Sequence, residues 1–144
     1  MGDDEQSAGL IAQAREAWAA EGAAIRWDYW IALEWHHGVN EVTALGHLEL
    51  CVETLTTRSP GVRVRAGFHS EPFPHAHLAL HLSHRLRVRY LNATEVQLWL
   101  ALHHWPHGKV WVQAFDQVRF EEEHQKGGGA IRYLARDPGT VVFG

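Results

Sequence analysis

The 144-residue chain is poor in sulfur and in lysine: it has one cysteine, one methionine and two lysines. The lone thiol, Cys51, forms no internal disulfide, which predicts a reducing, cytoplasmic setting rather than a cross-linked secreted scaffold. No apolar run approaches the roughly 18 residues of a membrane helix. The N-terminus, Met1-Gly2-Asp3-Asp4-Glu5, lacks the basic residues of a signal peptide. There is no Gly-Lys-Ser/Thr phosphate loop, so no helicase domain is expected and any unwinding falls to another protein.

What is present is ordinary in bulk and unusual in detail. A chain of this length, 46% hydrophobic and 21% charged, predicts one compact domain over residues 1–144, with residues 1–5 frayed. Its 12 His and 7 Trp are high. The formal net charge of −4 argues against a general polyanion binder. The charge is nevertheless partitioned, with ten acids against two bases in residues 1–57 and six arginines against one acid, Glu71, in residues 58–90. Such a confined patch suits local phosphate contact, and arginine forks suit phosphate oxygens better than lysine does. A solvated, Arg-rich sheet edge is the plainer explanation of the same residues.

Hydrophobic periodicity predicts a helix from Gln6 to about Ala20 with Leu10, Ala14 and Trp18 on one face, and a strand over Trp27–Trp35. Asn40 caps a second helix reaching Leu55, with Val42, Leu45, Leu48 and Val52 as its apolar stripe. Residues 62–70 and 75–83 alternate with period two and read as an antiparallel hairpin joined through Pro72-Phe73-Pro74. A helix capped by Thr94, a strand over Lys109–Val118, a glycine break at 127–129, a helix over Ala130–Arg136 and a strand over Thr140–Phe143 complete the order. The class is α+β, an antiparallel β-sheet with helices packed mainly on one face.

In the hairpin, residue parity turns His69, Glu71, His75 and His77 away from the leucine face. A tight loop pairs Glu71 with His75 and His69 with His77, near enough for imidazole and carboxylate to share a divalent cation. In the glycine-led helix, Tyr133, Arg136 and Asp137 share a face, where a fixed cation favours phenolate and holds phosphate beside it.

Pro74-His75-Ala76-His77-Leu78, followed 56 residues after His77 by the Tyr133-Leu134-Ala135-Arg136-Asp137 run, resembles the rolling-circle replication initiators among the HUH endonucleases. Trp105-Pro106-His107-Gly108-Lys109-Val110 is similar to a stretch those initiators carry between the two motifs. The resemblance implies a ferredoxin- or RRM-like fold and a single-tyrosine nickase. His75 and His77 would hold Mn²⁺ or Mg²⁺, Tyr133 would be the nucleophile, and Arg136 would stand at a position that is Lys in the family. The family's ligand Glu falls at Gly67 here, leaving Glu71, His69 or Glu34 as the third ligand. The implied substrate is single-stranded DNA at an origin hairpin loop, in the cytoplasm of a prokaryotic host, with a separate host or viral helicase and no membrane.

Arg63, Arg65, Arg85 and Arg87 share the open-face parity and are candidates to track the DNA backbone. Trp30 and Trp111 are candidates to stack on unpaired bases. Two other readings stand beside this one: a small HUH transposase with the same site, and a non-catalytic sheet that binds single strands. A histidine-triad hydrolase is disfavoured, because Ala79 occupies the third histidine position and the next histidine, His81, lies beyond it.

Overall fold

The computed structural model describes residues 3–115, Ile131, Leu134 and residues 141–143. Helix α1 spans Asp3–Ala23, strand β1 Tyr29–Glu34, helix α2 Glu41–Arg58, strand β2 Arg63–His69 and strand β3 His75–His81. Helix α3 follows at His84–Arg89, helix α4 at Ala93–His103, strand β4 at Val110–Ala114 and strand β5 at Val141–Phe143. The α+β class holds: the five strands form one antiparallel sheet in the order β4-β1-β3-β2-β5, with β3 in the middle.

Alternation explains the larger core. Ile31 and Leu33 of β1, Val64, Ala66 and Phe68 of β2, and Ala76, Leu78 and Leu80 of β3 all point to one face. There they meet Ala44, Leu48, Cys51, Val52 and Leu55 of α2 and Val96, Trp99 and Leu100 of α4. The buried stripe of α2 is turned from the expected one, since Val42 is 82% exposed. Burial pushes the Cys51 thiol up to about 12, so the only cysteine supplies no thiolate.

The caps follow side-chain chemistry. Asn40 Oδ1 accepts from the Thr43 amide at 2.8 Å, as expected. Asn92, not Thr94, caps α4: its Oδ1 accepts from the Glu95 amide, while Glu95 Oε2 reaches back to the Leu91 amide. That reciprocal pairing satisfies two amides at once, which Thr94 cannot do from inside the helix. Residues 3–5, expected to fray, are the first turn of α1.

Helices do not keep to one face. The C-terminal part of α1 lies on the other side of the sheet, where Ala19 joins Trp27, Trp30, Ala79, Ile131 and Leu134 in a second, smaller core. The approach is close at Gly22: a Cβ there would stand 2.8 Å from Ile131 and 3.3 Å from Arg65 Nε. Among the described residues, no helix is long and apolar enough to cross a membrane.

His104 follows α4, buried against Trp99 with its Nδ1 3.4 Å from the Thr54 hydroxyl. Burial first, then the positive charge of Arg58 and of His103, pushes its pKa down from 6.5 to about 4. The folded protein therefore binds fewer protons than the unfolded chain between those values. Stability is fully expressed above pH 6.5 and is expected to fall as pH drops towards 4, by on the order of 2–3 kcal/mol from this group. Urea midpoints across that range measure the slope, and His104→Gln should flatten it.

Candidate metal centre

The β2–β3 hairpin builds the site. Its register pairs His69 with His75 and Gly67 with His77, two residues away from the tight-loop expectation. The cause is the turn: β2 ends at His69 and β3 starts at His75, leaving Ser70–Pro74 between them. Pro72 and Pro74 have no amide to give to a ladder, so the strands cannot zip closer to the turn. A shift of two preserves parity, and all three imidazoles remain on the side away from the leucines.

One ring nitrogen from each of His69, His75 and His77 lies within 4.8 Å of the other two. His69 and His75 stack with centroids 5.0 Å apart, and His77 meets both edge-on. Behind them, His77 lies flat against Trp30 at 5.4 Å, with 15° between the ring planes. His75 Nδ1 is 2.8 Å from the Phe73 carbonyl oxygen. A carbonyl only accepts, so Nδ1 carries the proton and Nε2 keeps the lone pair. Metal-binding histidines are commonly oriented in this way.

The structure sorts the third-ligand candidates. His69 belongs to the cluster. Glu71 is exposed in the turn and stands outside it, because the longer loop carries it past the end of the strand pair. Glu34 stands opposite His75 on β1 and shares its face, but its Oε2 accepts from the Trp111 indole at 3.2 Å and it too lies outside the cluster. Trp111 and His77 flank Ala32 across the sheet, and a cavity of about 330 Å³ opens between Trp30, His77, Trp111 and Gln113.

The proposed DNA contacts fare unevenly. Trp111, 54% exposed, is available to a base, whereas Trp30 is 7% exposed and belongs to the second core. Arg65 is 6% exposed: α1 covers it, Glu21 stands 3.5 Å from it and Trp18 lies over its guanidinium at 5.4 Å. Burial lowers its pKa, an effect the Glu21 carboxylate opposes. Arg63, half exposed, shares Glu21 at 3.6 Å. Arg85 and Arg87 are not on the sheet, because the chain leaves β3 and enters α3, capped by Ser83. Arg87 Nε donates to Asp28 at 3.2 Å, tying α3 to the base of β1.

Tyr133 and Arg136 lie outside the described residues. Their neighbours Ile131 and Leu134 are described, and both are buried against Trp30 and Ala79 on the histidine side of the sheet. Comparison with family models, with curated proteins and with solved structures finds no match for this chain.

Proposed function

We propose that this protein is a metal-dependent single-stranded DNA endonuclease and strand transferase of the HUH kind, which nicks a replication origin to start rolling-circle replication of a plasmid or virus. The observation that carries the reading is the three-imidazole cluster on the central strand and its β2 neighbour, on the same side of the sheet as Ile131 and Leu134. The cytoplasm of a prokaryotic host, and a helicase supplied by another protein, belong to the same proposal.

The donor set fits a divalent cation held by His69, His75 and His77. Mn²⁺ accepts imidazole ligands more readily than Mg²⁺, which holds to oxygen, so of these two Mn²⁺ is the better match, although an all-imidazole set also suits Zn²⁺ or Fe²⁺. When bound, the ion supplies positive charge to the scissile phosphate. The protein's own groups do the rest. The Phe73 carbonyl fixes the His75 tautomer, and Trp30 backs His77 so that its ring does not swing away. Tyr133, once its phenol has given its proton to water, attacks phosphorus. An O–P bond forms as the bond to the 3′ oxygen breaks, and that oxygen takes up a proton. The 5′-phosphotyrosine conserves the phosphodiester for rejoining. Arg136, always protonated, steadies the phosphate and shuttles no proton. Trp111 offers a face to an unpaired base.

Incubation of the protein with a pool of single-stranded oligonucleotides and Mn²⁺, followed by denaturing electrophoresis, is expected to give a protein band shifted by attached DNA. Chelation of the metal should abolish the band. Binding without any covalent band, at an affinity indifferent to Mn²⁺, would mark the protein as a non-catalytic single-strand binder.

A further inference from the structure

The six arginines of residues 58–90 fall into two sets. Arg63 and Arg65 stand against Glu21, and Arg87 against Asp28. Arg58, Arg85 and Arg89 have no carboxylate within ion-pair distance among the described residues, and these three line one groove. The groove runs between the last turn of α2 and α3, has a volume of about 330 Å³, and is also lined by Ser59, Leu86 and Val88. It begins where β3 ends, roughly 20 Å along that strand from His75, so it is separate from the histidine cluster.

We infer that this groove binds the phosphodiester backbone of a single nucleic-acid strand. Three arginines lining one concavity, in a stretch with a single distant acid, carry a concentrated positive field in a protein whose net charge is negative. That sign selects an anion, and the fork geometry selects phosphate or carboxylate oxygens. Arg85 and Arg89 are four residues apart on α3, so one helical turn separates them along the same face. That spacing addresses successive phosphates of one chain better than the oxygens of one small anion. Half-buried Leu86 and exposed Val88 add apolar lining that can meet sugar carbons between the phosphates. The groove uses neither the histidines nor Tyr133, so it can bind where the endonuclease reading fails; of the backbone contacts expected for that reading it takes up Arg85 alone.

Fluorescence anisotropy with a labelled oligothymidylate, in EDTA and over a range of salt, tests the groove with the histidine site out of play. Combined Arg58→Ala, Arg85→Ala and Arg89→Ala should weaken binding about tenfold or more at low salt. The same variant should show a log–log salt slope shallower by about two, the value for a single strand on which three phosphates are no longer neutralised. Arg85→Glu alone should weaken binding in the same direction. The three Lys replacements should keep the wild-type slope, as should Arg26→Ala, which removes a positive charge outside the groove. Binding within twofold of wild type in the triple Ala variant, with its circular dichroism unchanged, would overturn the inference. So would displacement of the oligonucleotide by thymidine monophosphate at equal affinity, which would make the groove a mononucleotide site.

Discussion

Gly108→Ala is expected to cost on the order of 3 kcal/mol or more, a loss of about 10 °C or more in Tm, although it adds a single methyl group. The α4–β4 loop lies directly on the end of β1. A Cβ at Gly108 would stand 1.9 Å from the Glu34 carbonyl oxygen and 2.6 Å from Trp35 Cα. Both are backbone atoms at the end of a paired strand, so no side chain can swing aside. The same carbonyl accepts the Trp105 indole proton at 3.0 Å, and the Glu34 amide donates to the Lys109 carbonyl at 3.0 Å. Trp105 is buried and packs edge-on against Trp35 at 4.9 Å. A side chain at position 108 would lever this clasp apart. Gly46→Ala is the matched control: it lies in mid-α2 with nothing within 4 Å of the added carbon. There the helix gains propensity, about 0.5–1 kcal/mol, and Tm should rise. Thermal unfolding of the two variants therefore measures opposite signs for one chemical change. A Gly108→Ala variant as stable as wild type would mean that the loop does not lie on β1.

This clasp also gives a physical reason for the Trp105-to-Val110 stretch that stood out in the sequence. Its tryptophan caps a strand carbonyl and its glycine makes room for that strand, so the stretch fixes the end of β1 that carries Glu34 and the Trp111 contact.

Parity is what the sequence made legible. The faces of β2 and β3 follow from alternation alone, and a two-residue error in register leaves every imidazole on its correct side. The register itself was not legible, because it is set by where two prolines stop the ladder. Neither was α3: His84-Arg85-Leu86-Arg87-Val88-Arg89 alternates like a strand, and only the Ser83 cap announces the helix. Arg85 and Arg87 were misplaced for that reason. Arg65 and Trp30 were misplaced for another. Local pattern says which face a side chain leaves, but not whether a distant segment, here α1 and Leu134, later covers that face.

Substitutions within the candidate centre should separate metal binding from covalent chemistry. His69→Ala, His75→Ala and His77→Ala are each expected to reduce Mn²⁺ affinity by about 100-fold, the upper end of what even a supporting contact to a ligand is worth. Titration calorimetry measures that loss, and the adduct band should vanish with it. Glu71→Ala should leave Mn²⁺ affinity within about twofold, since the turn carries that carboxylate away from the three nitrogens. Tyr133→Phe should do the reverse of the histidine changes: affinity for Mn²⁺ and for single-stranded DNA stays, while covalent attachment falls below detection, because a phenyl ring has no oxygen to bond to phosphorus. A Tyr133→Phe protein that still forms the adduct would place the nucleophile elsewhere. A Glu71→Ala protein that loses the metal, with His69→Ala retaining it, would return the third ligand to the carboxylate and mean that the hairpin closes two residues further along. Each failure thus breaks a different link, the first at the reacting oxygen and the second at the register of β2 on β3, from which the whole histidine geometry descends.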